Sequence, residues 1–185
     1  REAIAPEKCS AARWLDIMRE AHETGQRTTA TMMYGHVETP AEIVEHLLAV
    51  RALQDETGGF SAFIPWSFKP GNSTLGKKVK VAAHPLLYLR LLATARLVLD
   101  NVPHVQSSWF SEDLRTGQLG LLAGADDFGG LLFEESVLGK AGHAPKTSLT
   151  RTLEVIRAMG FEPAQRNSFY EVIARYAPDE VRRTG

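Results

Sequence analysis

Cysteine is almost absent from this chain: Cys9 is the only one in 185 residues. That excludes an intrachain disulfide framework and suits a reducing, cytoplasmic compartment. Charge of either sign is not in excess. The 21 basic and 22 acidic residues leave a formal net charge of -1, so there is no electrostatic footprint for nucleic acid. Long hydrophobic runs are missing too. Pro65, Arg90 and Arg96 interrupt the longest ones, and no stretch reaches the length of a membrane span. The opening REAIAPEKCS mixes acidic and basic residues and leads into no apolar core, unlike a signal peptide. It also lacks an initiator Met, and a fragment boundary is expected there. There is no GxSxG, no HExxH, no convincing zinc spacing of histidines or carboxylates, and no GxxxxGK. Serine-hydrolase, zinc-hydrolase and P-loop chemistry are disfavoured accordingly. Neither low-complexity segments nor exact repeats are present.

What is present is an apolar fraction of 44%, enough for a sizeable core in one domain. Trp14, Ile17, Met18 and Ala21 recur at helical spacing after Ser10, with Gly25 as a stop. TTATMMY at 28–34 is β-branched or bulky and predicts a strand ending at Gly35. Thr39, Pro40 and Glu42 offer an N-cap hydroxyl, a first-turn proline and a third-position carboxylate, so a helix starts there. Its apolar stripe is Ile43, Val44, Leu47, Leu48 and Leu53, and Gly58–Gly59 break it. FSAFIPW predicts a second strand, 69–80 a polar loop and 82–99 a long helix. A third strand is expected over 102–109, a helix over 112–123 and a short fourth strand over 124–128. Residues 129–147 read as irregular, 148–159 as a helix stopped by Gly160, and the remainder as an extended piece with a short helix. Four strand–helix units, with connections long enough for parallel crossovers, predict an α/β fold matching half of an eight-unit barrel.

A plain buried parallel sheet would read as continuous Val, Ile and Leu. The third strand instead alternates His104, Gln106 and Ser108 with Val105, Ser107 and Trp109, and Thr29, Thr31 and Met33 share one face of the first strand. Barrel enzymes hold substrate on such polar positions near the C-terminal strand ends; a wet structural sheet edge is the alternative. His36 and Glu38 lie two apart just past a strand end, suited to proton transfer or hydroxyl binding. Glu38 can equally serve the next helix N-terminus. Gln54, Asp55 and Glu56 end a helix; the two carboxylates oppose its dipole and need a basic partner or a ligand, unless the segment is only a turn. Trp66 and Phe68 can stack on an aryl or nucleoside group or fill core. Asn72, Ser73 and Thr74 can bind polar groups or merely be solvated. Asn101, His104 and Gln106 place three hydrogen-bonding side chains within six positions, unfavourable to bury without partners. Asp126 and Asp127 precede Gly129–Gly130, which permit close backbone approach. Of Glu134 and Glu135 at most one faces a site. Arg166, with Asn167, can grip a carboxylate or close the barrel by a salt bridge. His22 and His46 on helices, and His143 in a polar segment, need no functional role.

With these segments assembled, the chain resembles the radical S-adenosylmethionine enzymes of the futalosine route to menaquinone. The resemblance rests on Trp14, Met18, Ala21 and His22, on TTATMMYGHVET at 28–39, LQDETGGF at 53–60, FIPW at 63–66, and LDN at 99–101. It continues through His104, Gln106, Trp109, GAD at 124–126 and QRN at 165–167. The TTATMM form and the Trp after FIP favour the branch that cyclises dehypoxanthine futalosine over the aminofutalosine synthase and FO synthase-like branches. The resemblance implies that residues 1–185 are the C-terminal half of a radical SAM (β/α) TIM-like barrel. A CxxxCxxC loop for a [4Fe–4S] cluster and a glycine-rich S-adenosylmethionine motif would lie in a missing N-terminal half; this chain alone would not bind the cluster. The implied reaction begins with reductive cleavage of S-adenosylmethionine. The deoxyadenosyl radical takes hydrogen from ribose C4′, and the carbon radical attacks the benzoate ring. Loss of an electron and a proton then restores aromaticity.

Within that frame the residues receive hypothetical roles: His36 and Glu38 as catalytic groups, and Trp66, Phe68, His104, Gln106, Arg166 and Asn167 as substrate contacts, Arg166 toward the benzoate carboxylate. Asp126, Gln54 and Asn101 would contact S-adenosylmethionine or ribose. The competing readings are a sister activity and a non-catalytic fragment or half-barrel assembly module. Open sheet edges would make such a half-barrel dimerise or join a partner half.

Overall fold

The computed structural model describes residues 3–71, 73–131, 136–140, 142–143 and 146–177. Helix α1 (Ala11–Glu23) starts where the Ser10 hydroxyl accepts the Arg13 N–H. Strand β1 (Thr28–Tyr34) leads into α2 (Pro40–Thr57), which opens with a full capping box between Thr39 and Glu42 and ends at left-handed Gly58. Strand β2 (Phe60–Ser67), helix α3 (Pro85–Val98) and strand β3 (His104–Val105) follow. Helix α4 (Leu114–Leu122) is capped by Asp113 and α6 (Leu149–Arg157) by Ser148, with the five-residue α5 (Ser136–Lys140) between them. Strands β4 (Ala164–Arg166) and β5 (Val172–Arg175) form an antiparallel hairpin.

The order β1-β2-β3 is parallel, with a helix in each crossover. This is an α/β half-barrel that does not close on itself. Ala30, Met32 and Tyr34 of β1 and Phe60 and Phe63 of β2 bury one face against Leu47, Val50 and Leu53 of α2 and Tyr88, Leu91, Leu92 and Ala95 of α3. Each fully buried Val, Leu, Phe or Met among them contributes about 1.5–3 kcal/mol. On the other face Thr31 ranks with Ile64 and Met33 with Trp66, and Thr29 and Thr31 are exposed. A register shift sets this division. Thr28 pairs with Phe60 but Thr29 with Ala62, leaving Ser61 as an extra residue. No helix among the described residues is long and apolar enough to cross a membrane.

The structure departs from the sequence expectations in four places. The third strand, expected over 102–109, is laddered only at His104–Val105, because beyond it the chain turns. Ser111 and Glu112 donate their N–H groups to the Ser108 carbonyl, and the Ser107 hydroxyl donates to the Gly117 carbonyl. The fourth strand shrinks to a single bridge between Gln106 and Asp127, fastened by N–H groups of Asp126 and Ser107. The short terminal helix is instead the β4–β5 hairpin. Its turn is made by the Asn167 side-chain carbonyl, which accepts from the N–H of Phe169 and of Glu171, and by Tyr170 at φ 65°. Helix α5 also falls in the stretch expected to be irregular.

Candidate active site

The C-terminal ends of β1 and β2 bring together His36, Glu38, Trp66 and Phe68. After β1 the chain turns sharply at Gly35, and the Glu38 carboxylate accepts the N–H groups of Gly35 and His36, the latter at 2.9 Å. His36 Nε2 lies 3.1 Å from the Met33 carbonyl, while Nδ1 accepts the Val37 N–H at 2.7 Å and sits 2.8 Å from Glu38 Oε2. Both side chains fold into the turn, 7% and 15% exposed. Phe68 packs edge-on against the His36 ring at 6.2 Å. Trp66 is half-buried beside Met33 on the uncovered face.

Behind this rim lies a buried polar network that sequence reasoning missed. Tyr34 donates to Glu112 Oε1 at 2.9 Å, and Ser111 donates to the same oxygen at 3.1 Å. The Ser111 hydroxyl also receives the Ser67 N–H, and Ser67 Oγ donates to the Ser111 carbonyl. The ends of β1 and β2 and the loop before α4 are thereby tied together. Burial, reinforced by the Glu112 charge, pushes the Tyr34 hydroxyl far above its ordinary pKa. Tyr88, pushed up by burial to about 12, accepts the Ser108 N–H at 2.7 Å. The Ser108 hydroxyl is buried with no hydrogen-bond partner. The available signal was the phase of Tyr34, which follows Ala30 and Met32 on the helix-facing side.

Lower on the sheet a second cluster forms around His104, which ranks with Ala62 near the start of β2. His104 Nδ1 lies 2.6 Å from Asp126 Oδ2, and Asp126 Oδ1 takes the Val105 N–H and pairs with Arg96. Arg166 donates through Nε and Nη2 to Asp127 Oδ2 at 3.1 and 2.5 Å. Tyr170 stacks on His104 at 4.2 Å, and the Arg166 guanidinium lies 3.9 Å from the same tyrosine ring. Gln106 is 9% exposed beneath Gly129, where a Cβ would come within 3.0 Å of its Nε2. Asn167 is held in the hairpin turn, donating to Glu171 Oε2 at 2.7 Å.

Gln54 and Asn101 sit at the opposite, N-terminal ends of the strands. Gln54 accepts the Phe60 N–H and donates to the Phe60 and Asn101 carbonyls. Asn101 donates to the Arg51 carbonyl and to Asp55. His22 bridges the Thr57 and Thr28 hydroxyls there at 2.7 and 2.8 Å. These groups fasten the bottom of the sheet. Glu134, Glu135 and Asn72 lie outside the described residues. A cleft of about 490 Å³ between α6 and β5, lined by Arg157, Phe161, Pro163 and Tyr176, contains none of the site residues named so far.

A single exposed cysteine cannot supply the three thiolates of a cluster loop. Among the described residues no group of three His, Cys, Asp or Glu could hold a metal ion. The residues present do not fit a [4Fe–4S] cluster.

Residues 57–180 match the family model described as the CofH/MqnC C-terminal region. A Streptomyces coelicolor protein named cyclic dehypoxanthine futalosine synthase is 46% identical over 171 residues, covering 92% of this chain and 42% of its own length. A 5-amino-6-(D-ribitylamino)uracil–L-tyrosine 4-hydroxyphenyl transferase of Methanococcus maripaludis is 39% identical over 178 residues, covering 94% of this chain and 50% of that protein. Its Methanosarcina barkeri namesake is 39% identical over 184 residues, with coverage of 96% and 49%. The chain belongs to the CofH/MqnC family, the radical S-adenosylmethionine group that its segments resemble. It spans about half the length of the curated relatives it matches.

Proposed function

We propose that this chain is the substrate-holding, C-terminal half of a cytoplasmic radical SAM enzyme that cyclises dehypoxanthine futalosine in menaquinone biosynthesis. The observation that carries the reading is the 46% identity, over 92% of this chain, to the protein of that name. The fold supports it: helices cover one side of the sheet only, and the bare side carries Thr29, Thr31, Met33, Ile64 and Trp66. On this reading the uncovered face is a barrel wall that orients ribose against the aryl ring. Trp66 and Met33 pack beside the ring, and Gln106 and His104 line the lower cavity. His36 and Glu38 shape the rim, where a substrate hydroxyl would compete for their bonds within the turn. Gln54 and Asn101 serve the fold, at the end remote from the mouth. The cluster and S-adenosylmethionine belong to an N-terminal half that pairs with the free edge of β1.

The test is to assay the full-length protein with each family substrate in turn. Cyclic product from dehypoxanthine futalosine is expected. Product only from the enolpyruvyl ether of 3-hydroxybenzoate, or only from tyrosine with 5-amino-6-(D-ribitylamino)uracil, would overturn the proposal. The 185-residue chain by itself should self-associate or capture an added N-terminal half; a monodisperse monomer at high concentration that ignores the added half counts against the half-barrel reading.

A further inference from the structure

From Thr57 to Leu99 the sequence contains no Asp or Glu, although the whole chain carries 22 of them. Four of its seven lysines, Lys69, Lys77, Lys78 and Lys80, fall within 69–80 of that stretch. None of the four forms a salt bridge among the described residues, and Lys77, Lys78 and Lys80 are exposed. Against the upward push of burial, hydrogen bonds from Thr116 hold the Asp113 carboxyl below the usual range, with Lys69 a lesser contributor. The other three have no acidic neighbour in their own segment.

The position of these lysines gives the charge a meaning. The loop leaves the C-terminal end of β2, where the Phe68 N–H donates to the Tyr34 carbonyl. It returns across the end of β1, where a Cβ on Gly35 would lie 2.6 Å from the Ala83 methyl. It therefore passes over the rim that carries His36, Glu38 and Trp66. It is also a built turn. The Ser73 hydroxyl donates to the Pro70 carbonyl and accepts the Gly76 N–H, and Lys78 and Val79 both donate to the Leu75 carbonyl at 2.9 Å. Gly76 is buried so tightly that a Cβ would meet the Pro70 carbonyl oxygen at 1.8 Å. The arginines of the second cluster are already engaged, Arg166 by Asp127 and Arg96 by Asp126.

We infer that Lys77, Lys78 and Lys80 form an anion-receiving element at the mouth of the site and take the carboxylate of the aromatic substrate. This rests on the proposed function for the identity of the ligand. A site mouth edged by exposed, unpaired cations concentrates and orients an incoming anion, and does so less as salt rises. An acidic protein surface would also feel these charges. The small carboxylate is favoured because the loop that carries the lysines leaves and returns at the C-terminal ends of β1 and β2.

The test is equilibrium binding to the full-length protein of dehypoxanthine futalosine and of its neutral carboxamide, with 3-hydroxybenzoate as a minimal probe. Each exposed lysine is worth up to about fivefold at low salt. The acid should bind at least about tenfold tighter than the amide, and the preference should shrink between about 20 and 200 mM salt. In a K77Q/K78Q/K80Q variant the preference should fall to about twofold or less. It should survive in K77R/K78R/K80R and in the distant Lys8→Gln control, all with unchanged melting temperature. Equal binding of acid and amide by the unaltered protein overturns the inference. So does a preference that survives the triple glutamine variant, or an effect of that variant confined to binding an acidic protein. Binding needs no turnover, so the two proposals fail separately. Lysine-dependent carboxylate preference without cyclic product sinks the reaction and leaves the anion element standing; cyclic product without that preference does the reverse.

Discussion

Replacing Tyr34 by Phe removes one hydroxyl from its buried contact with Glu112. Tyr34 is 0% and Glu112 8% exposed, and the bond between them is 2.9 Å. A hydrogen bond to a charged partner contributes about 1.5–3 kcal/mol. Loss of the donor leaves the carboxylate oxygen still holding Ser111 at 3.1 Å, which keeps the cost in the middle of that range. A domain of this size loses about 2–4 °C per kcal/mol, so the melting temperature should fall by about 4–10 °C. Glu112→Gln keeps an acceptor and relieves the burial of a charge, and should be milder. In a double-mutant cycle, Tyr34→Phe with Glu112→Leu should be less damaging than the two singles together, by about 2 kcal/mol. Circular-dichroism melts and urea titrations at neutral pH measure all five proteins. A Tyr34→Phe variant within about 0.5 kcal/mol of the unaltered chain, or an additive cycle, would refute the reasoning.

The same hydroxyl predicts an alkaline limb. Tyr34 and Tyr88 hold their protons more tightly when folded, so the stability they contribute is complete below pH 10 and is lost as pH rises past 10 through about 12; Tyr34→Phe should flatten that limb in urea titrations. At the other end of the sheet, a Cβ on Gly59 would come within 2.0 Å of the His22 ring. Gly59→Ala should therefore destabilise by about 1–3 kcal/mol, with His22→Ala in the same chain recovering most of it; equal damage with and without His22 would count against this. Burial pushes His22 below its ordinary 6.5, so its contribution is present above pH 6.5 and lost as pH falls below it, and a His22→Gln variant should lose that acid dependence. Arg166→Ala should release the β4–β5 hairpin from Asp127, remove the guanidinium packed on Tyr170 of its own turn, and speed limited proteolysis within 161–176, read by mass spectrometry; an unchanged cleavage pattern would show that the hairpin is held by other contacts.

The first two strand–helix units were legible because local signals agreed with one another. The capping box at Thr39 and Glu42, the glycine at 58 and the alternation through TTATMMY all survive into the structure. The third strand was read too long because alternation alone was used. Ser107, and Ser111 just past the expected strand, instead bond through their hydroxyls to backbone carbonyls, and the chain bends after two laddered residues. The hairpin went unread although Asn167 is a favoured turn residue, because the turn also needs Tyr170, a non-glycine residue at φ 65° that no local signal announces. In the site, the nearness of His36 and Glu38 could be read from their spacing, but their folding back onto the Gly35 and Val37 N–H groups could not. Gln54 read as a ligand-binding group, whereas the structure uses it as a substitute backbone, pairing both main-chain groups of Phe60 at the start of β2 and the Asn101 carbonyl ahead of β3. Glu112 escaped notice because a glutamate beside a helix start reads as a solvated first-turn charge.

Ser61 makes this half-barrel sensitive to chain length in a way that substitution tables miss. As the extra residue between Phe60 and Ala62, it changes the phase of everything downstream in β2. Phe60 faces α1, stacked on Trp14, while Ile64 and Trp66 come out on the bare side. Deleting Ser61 would turn that strand over, carrying Trp66 toward the helices and Phe63 and Pro65 toward the cavity. A scan of single-residue deletions should therefore find a hypersensitive point at 61, while the same position accepts almost any side chain.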